Sequence, residues 1–149
     1  DSVLWLQIPG ETQIPGTNLK ICCTISGENE KNSAKEIPQK SYTKCFDYDK
    51  ITTSLFLRTK EPGDYLTINS KMGRKSLQDY FIDRKIPKQE RSSIYVLAEN
   101  NHILWIPGFR ISEYYKISEQ TRNVLQVSIH TKENKEERSM ERERSHSHG

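Results

Sequence analysis

The segment between Lys71 and Arg91 holds seven basic and three acidic side chains, a net charge of +4. The whole chain carries only +3, so this segment accounts for more than the entire positive excess. Arg74 and Lys75 come just before Ser76, where a helix is predicted to begin, and helix N-termini favour anions. This pattern favours a phosphate ligand. The alternative is a basic face that only solubilises the domain, since many basic runs bind nothing.

A short amphipathic helix is predicted directly after these bases. Ser76 is a good N-cap, and Asp79 stands where the acidic partner of a capping box would be. The buried face is predicted from three apolar residues at helical spacing, Leu77, Tyr80 and Phe81. Pro87 should end this helix near Lys85 and suits the first position of a new helical turn over 88–92. The bases are therefore predicted to lie around two short helices.

Other side chains that could do chemistry form no convincing catalytic set. Asp79 and Asp83 share a helix face, but neighbouring bases such as Lys75 make ion pairing the simpler interpretation. His102 is predicted in a hairpin turn and His130 at a strand end, both as solvated residues. No phosphate-binding loop, nucleophile elbow or zinc-protease motif is present in the sequence.

The cysteines favour a reducing compartment. There are three, and the adjacent Cys22 and Cys23 would point to opposite faces of a strand. Neither a C-x-x-C pair nor a metal-ligand spacing involves Cys45. The sequence also has no apolar run long enough to cross a bilayer and no signal-peptide pattern. We therefore expect a cytoplasmic protein with reduced thiols and no membrane partner.

Alternating apolar residues and β-branched runs predict several strands separated by proline-glycine turns. The predicted strands are Val3–Ile8, Leu19–Ile25, Ser54–Thr59, Tyr65–Ile68, Ile94–Ala98, Ile103–Ile106 and 125–129. Ser26–Lys44 is polar and is predicted as a long loop, and Ser112 as the cap of a short helix carrying Tyr114 and Tyr115. The sum is an α+β domain with mixed strands and two or three short helices.

The organisation is one domain followed by a charged tail. Residues 1–130 are long enough for one core, whereas 131–149 contain Met140 as their only apolar residue. Such a tail cannot bury enough surface to offset its ordering entropy, so we predict disorder or a frayed, solvated helix there. Because the chain starts at Asp1 and enters a strand at once, we expect it to be part of a longer protein.

Four motifs in order resemble a known family. They read FDYDK at 46–50, LRTKEPGD at 57–64, LQDYFIDRKIP at 77–87 and ILWIPGFRIS at 103–112. They are similar to motifs of the C-terminal domain of bacterial tRNA(Ile)-lysidine synthase, and the resemblance covers roughly Val3 to Ile129. It implies a β-sandwich-like arrangement of mixed and antiparallel sheet layers, similar to a domain of the phenylalanyl-tRNA synthetase β subunit.

The family enzyme attaches lysine to the wobble cytidine of tRNA(Ile), using ATP. That chemistry belongs to an N-terminal domain with an S-G-G-x-D-S loop, which this sequence does not contain. The resemblance thus implies a non-catalytic domain that holds tRNA(Ile) and works with the N-terminal catalytic domain of the same polypeptide. ATP and magnesium would bind to that catalytic domain, and no cofactor or metal is expected in this chain.

Ten basic residues are the candidate phosphate contacts. They are Arg58, Lys60, Lys71, Arg74, Lys75, Arg84, Lys85, Lys88, Arg91 and Arg110. The competing hypothesis is a protein-interaction module that docks on the catalytic domain without binding RNA, in which Phe81, Ile86, Trp105 and Pro107 matter and the bases do not. An enzyme acting alone is a third hypothesis, which ATP turnover by this chain would support.

Overall fold

The computed structural model describes residues 3–27, 29 and 42–131, and two β-sheets form the framework of this part of the chain. The larger sheet has the order β1 (Leu4–Trp5), β5 (Phe56–Thr59), β8 (Tyr95–Glu99), β9 (His102–Ile106), β6 (Tyr65–Thr67) and β7 (Arg74–Ser76), with β10 (Arg110–Ile111) beside β9. The smaller sheet has the order β2 (Gly10–Gln13), β3 (Leu19–Ser26), β11 (Val124–Thr131) and β4 (Thr43–Asp47). Paired strands run antiparallel, except that β6 and β9 are parallel.

The main core lies between the two sheets. Apolar residues that alternate along β3 and β11 face inward, as their sequence pattern predicted. Phe46 of the smaller sheet meets Trp105 of the larger one, with ring centroids 6.3 Å apart and planes tilted by 51°. Cys23 is buried in this core, whereas the adjacent Cys22 is only half-buried, which confirms that their side chains point to opposite faces.

A β-bulge lets the β8–β9 hairpin contribute to both faces of the larger sheet. Leu97 pairs with Trp105 and Ala98 with Ile103, so Leu104 is an extra residue on β9. Leu104 and Trp105 therefore both join the core between the sheets, while Ile103 packs on the opposite face. The central strands are consequently buried on both sides.

A short helix and the turn that follows it cover the other face of the larger sheet, giving a third layer. Helix α1 (Leu77–Asp83) begins where predicted, because the Ser76 hydroxyl accepts a hydrogen bond from the Asp79 amide at 3.0 Å. The predicted apolar stripe is buried against Val96 and its neighbours in the sheet. Burial of each large apolar side chain stabilises the fold by about 1.5–3 kcal/mol.

The end of α1 is a left-handed turn without glycine. Lys85 has φ +58°, and Ile86 folds back into the core, with its amide bonded to the Phe81 carbonyl at 3.0 Å. Pro87 then precedes α2 (Lys88–Arg91). The break between two short helices was predicted from Pro87, and the structure shows that a positive φ at Lys85 makes the turn.

Some sequence-based predictions need correction. Only Leu4–Trp5 of the predicted strand Val3–Ile8 forms a strand. Ser112 does not cap the short 3-10 helix Glu113–Tyr115 with its side chain, because its hydroxyl accepts a hydrogen bond from the Thr67 amide at 3.0 Å. The Ser112 hydroxyl thus bonds to a residue distant in the sequence rather than to the helix that follows it.

The predicted α+β class, with mixed and antiparallel sheets and few helices, is confirmed. Most of the predicted loop Ser26–Lys44 lies outside the described residues, and its last two residues belong to β4. The predicted tail 131–149 also lies outside them, except Thr131, the last residue of β11.

Candidate nucleic-acid interface

Arg58, one of the ten candidate phosphate contacts, is buried and bound within the fold. Its guanidinium donates two hydrogen bonds of 2.8 Å to the Asp64 carboxylate and a third, also 2.8 Å, to the Asn100 carbonyl. Arg58 and Asp64 are each only 4% exposed. The hydrogen bonds to Asp64 raise the pKa of the Arg58 guanidinium above its ordinary value. This geometry argues against a phosphate contact, because every such contact would require removing Arg58 from the interior.

The Arg58–Asp64 pair joins the turns that support the basic segment. The Asn101 side-chain amide donates to Asp64 Oδ1 at 2.9 Å, the oxygen that also accepts one of the bonds from Arg58. The Asp64 carbonyl then accepts a hydrogen bond of 2.9 Å from the Leu77 amide at the start of α1. Gly63 reaches φ +88°, which allows the tight turn before Asp64. The buried ion pair therefore supports the junction where β7 ends and α1 begins.

The start of α1 is already hydrogen-bonded by the protein. The Leu77 amide binds the Asp64 carbonyl, and the Asp79 amide binds the Ser76 hydroxyl. The helix has only seven residues, which limits its dipole. A phosphate bound at this helix terminus, as the sequence pattern favoured, would compete with these internal bonds.

The loop between β6 and β7 presents Lys71 to solvent, and Arg74 at the start of β7 is exposed beside it. The Asn69 side chain accepts hydrogen bonds from the amides of Lys71 and Gly73, both at 3.0 Å, which orders the loop. The Arg74 guanidinium lies over the Tyr65 ring, 4.3 Å from its centroid. Arg74 is thus held in place while its side chain remains exposed.

An ion pair joins this loop region to a second set of bases at and after the end of α1, namely Arg84, Lys85, Lys88 and Arg91. Lys75 on β7 pairs with Asp83 at the end of α1, which agrees with the predicted ion-pairing role of that carboxylate. Arg84 follows directly and lies over the exposed Phe109 ring, 5.6 Å from its centroid. Lys75, half-buried and paired, therefore links β7 to the end of α1, where Arg84 begins the second set of bases.

The remaining candidates divide into exposed and engaged residues. Arg91 donates from Nε to the Ile86 carbonyl at 2.8 Å, and half-buried Arg110 donates to the carbonyls of Ile111 and Ile68 at 3.1 and 3.4 Å. Six candidates have exposed side chains: Lys60, Lys71, Arg74, Arg84, Lys85 and Lys88. We call these six residues the basic face.

The prediction that His102 is a solvated residue in a turn is wrong. His102 is the first residue of β9 and lies in a group of aromatic side chains. Its ring stacks on Tyr65 at 4.5 Å with planes 26° apart, and its Nε2 is 3.0 Å from Thr67 Oγ1. Burial, followed by the nearby charge of Arg74, lowers the pKa of His102 to about 4. The ring is therefore neutral at pH 7. Its position depends on the parallel β6–β9 pairing, for which the local sequence gives no signal.

A cleft of about 530 Å³ opens beside this aromatic group, and sequence reasoning missed it. Its walls include Tyr65 with Arg74 on one side and Tyr114 with Lys50 on the other. The Lys50 ammonium lies 4.7 Å from the Tyr114 ring centroid and donates to the Tyr114 carbonyl at 2.9 Å. We call this site the aromatic cleft.

Within the described ranges, no group of three or more His, Cys, Asp or Glu residues could hold a metal ion. In the same part of the chain, no helix has the length and apolar character needed to cross a membrane.

Residues 55–129 match the sequence model of the family described as TilS substrate C-terminal domain. A tRNA(Ile)-lysidine synthase of Clostridium tetani is 36% identical over 117 residues, covering 78% of this chain and 24% of that protein. The enzyme of the same name from Caldanaerobacter subterraneus subsp. tengcongensis is 34% identical over 128 residues, covering 86% and 26%. The chain thus spans about a quarter of the length of these relatives.

A solved structure has the same fold. The crystal structure of a TilS C-terminal domain superposes with a TM-score of 0.64, covering 89% of this chain and all of that one, at 21% sequence identity. This likeness concerns the fold alone.

Proposed function

The chain belongs to the TilS substrate C-terminal domain family, and we propose that it binds and positions tRNA(Ile) for lysine ligation by a catalytic domain of the same polypeptide. Its relatives are named for that tRNA and for lysidine synthesis. In this proposal the chain has no catalytic residues of its own. ATP and magnesium would bind to the catalytic domain, and the protein would act in the cytoplasm.

The observation that carries the proposal is the basic face, whose six side chains are all exposed. Its six bases project from ordered supports, among them the Asn69-capped loop and the turn at Lys85. Arg74 and Arg84 both lie over aromatic rings, which limits the side-chain entropy lost when a phosphate binds. Lysines and arginines placed in this way suit contacts with the phosphates of an RNA backbone, which fix its position rather than distinguish its sequence.

A titration of labelled tRNA(Ile) into the chain at low and moderate salt tests the proposal. The expected result is binding that weakens with salt, since each phosphate contact releases counterions. An unrelated tRNA and a plain RNA duplex measure how much of the affinity is general. Absence of binding to any of these RNAs at low salt would contradict the proposal.

A second candidate function, docking on the catalytic domain without RNA binding, is favoured by one surface. Trp5 is 69% exposed and Val3 56% exposed, and both lie at or beside the edge strand β1. An exposed tryptophan at a sheet edge suits a protein contact. Under this hypothesis Trp5→Ser would abolish binding to the separately produced catalytic domain, while the same change at Tyr42, 54% exposed, would not.

A further inference from the structure

The aromatic cleft has a size suited to a single small ligand. Its volume of about 530 Å³ lies within the ~300–1,000 Å³ range of ligand sites. Tyr65, His102 and Tyr114 supply aromatic surface, and their rings lie 4.5–5.0 Å apart. All three rings are half-buried, so they are partly accessible while supported by the core. The cleft therefore offers partly accessible aromatic surface that the core holds in place.

Cations flank the aromatic group on both sides. Arg74 covers Tyr65 and Lys50 covers Tyr114, with distances to the ring centroids of 4.3 and 4.7 Å. The Arg74 side chain is exposed, so its guanidinium can offer a second planar surface to a ligand. Stacking surfaces beside positive charges are the combination that an unpaired nucleotide requires, because its base is planar and its phosphate is anionic.

Glu99, the acidic residue in the lining of the cleft, repels an anionic ligand only weakly. The Glu99 carboxylate accepts hydrogen bonds from the Thr52 and Thr53 amides at 2.6 and 2.9 Å and from the Tyr115 hydroxyl at 2.7 Å. Burial alone would raise the pKa of Glu99, but these bonds outweigh it and leave the pKa lowered. The carboxylate is thus ionised, and its charge is directed to internal donors. His102 is neutral at pH 7, as its lowered pKa requires.

We propose that the aromatic cleft binds one unpaired nucleotide of the RNA, with the base stacked against Arg74 and the Tyr65–His102–Tyr114 group and the phosphate facing Lys50 or Arg74. This inference rests on the proposed tRNA-binding function and adds a site to it. Arg74 belongs to both the basic face and the cleft. A single RNA strand that leaves a duplex on the basic face can therefore continue directly into the cleft.

The test compares two RNAs, a blunt hairpin and the same hairpin with a short single-stranded extension. The quantity measured is the ratio of the two affinities for each protein variant. Stacking of one base is worth about 1–3 kcal/mol, so the extension should improve the affinity of the unaltered chain by about fivefold or more. Tyr114→Leu removes a ring, and Arg74→Lys keeps the charge but loses the planar group. Both should bring the ratio close to one.

Tyr42→Leu is the matched control, because Tyr42 is an exposed tyrosine outside the cleft. Its ratio should equal that of the unaltered chain. Circular dichroism checks the fold of Tyr114→Leu, and Arg74→Lys changes only an exposed side chain, so the test remains decisive if the first variant unfolds.

The outcomes separate the two proposals. A ratio of one in the unaltered chain, with tRNA(Ile) still bound, would overturn the cleft assignment and leave the proposed function intact. Failure of every RNA to bind would overturn both. Binding of free AMP that depends on Tyr114, with no effect of the extension, would assign the cleft to a free nucleotide and overturn its assignment to RNA.

Discussion

Arg58 and Asp64 form a bidentate ion pair in the protein interior, with both N–O distances at 2.8 Å. Removing one partner leaves the other charge buried and unpaired, which costs about 3–5 kcal/mol. We therefore expect Asp64→Ala to lower the free energy of unfolding by about that amount in urea denaturation. Glu11→Gln, which removes the surface pair with Lys20, is the control and should lower the free energy of unfolding much less, because water screens an exposed pair. A decrease below about 1 kcal/mol for Asp64→Ala would show that the pair does not support the fold.

Arg58→Met should destabilise the chain without reducing the salt dependence of its binding to RNA. The Arg58 guanidinium is committed to Asp64 and Asn100, so it is not available to a phosphate. For folded Arg58→Met, the slope of log tRNA affinity against log salt concentration should equal that of the unaltered chain. A slope reduced by about 0.9 would instead indicate that one phosphate of a duplex region is no longer neutralised, and would restore Arg58 to the interface.

Much of the local structure around the interface was predictable from the sequence. Ser76 as a helix cap, the buried stripe that includes Phe81, and the helix break at Pro87 all follow from neighbours within a few residues. The motifs that contain them also carried the resemblance to the family. These features depend on short-range geometry, which the order of residues expresses directly.

The sequence could not show which bases face solvent. Arg58 and Lys60 are separated by one residue, yet Arg58 is buried and Lys60 is exposed, because β5 ends at Thr59 and Lys60 lies beyond the sheet. The aromatic cleft was also beyond prediction. It depends on Tyr65 and His102 pairing across parallel strands, and on the bulge at Leu104, neither of which has a local signal.

Lys85→Gly should stabilise the chain and weaken its binding to RNA. Lys85 has φ +58°, a conformation that costs a residue with a side chain about 1–2 kcal/mol and glycine nothing. The net gain in unfolding free energy should be up to about 1 kcal/mol, since glycine also has greater freedom in the unfolded chain. Asn100→Gly, at φ +53°, should gain less because asparagine tolerates this conformation.

Unfolding and tRNA titration measured on the same samples check this prediction. Higher stability with unchanged affinity would mean that the Lys85 side chain does not bind RNA. Lower stability would mean that the lysine side chain supports the helix end by packing.

His102 should make the chain less stable as the pH falls from about 6.5 towards 4. The folded-state pKa of about 4 lies below the ordinary value of 6.5, so in this range the unfolded chain binds more protons than the folded one. The contribution is fully present above pH 6.5 and is lost as the pH approaches 4.

The difference in unfolding free energy between the unaltered chain and His102→Gln, followed from about pH 7 to about pH 5, isolates this effect from the carboxylates. The difference should shift in favour of the variant at lower pH. An NMR titration, with the His102 signal assigned by its absence in the variant, should show no protonation near the ordinary pKa of 6.5. A midpoint at that ordinary value would contradict the burial of the ring.

The most direct test of the account is the salt dependence of tRNA(Ile) affinity after charge reversal on the basic face. Arg84→Glu with Lys88→Glu should weaken binding and lower the slope of log affinity against log salt by about 0.9 for each duplex phosphate that is no longer neutralised. Lys20→Glu is the matched control, because Lys20 lies on β3 in the smaller sheet, on the layer opposite the helices. We predict that its slope equals that of the unaltered chain. Equal affinity and slope in all three proteins would contradict the assignment of the basic face to tRNA.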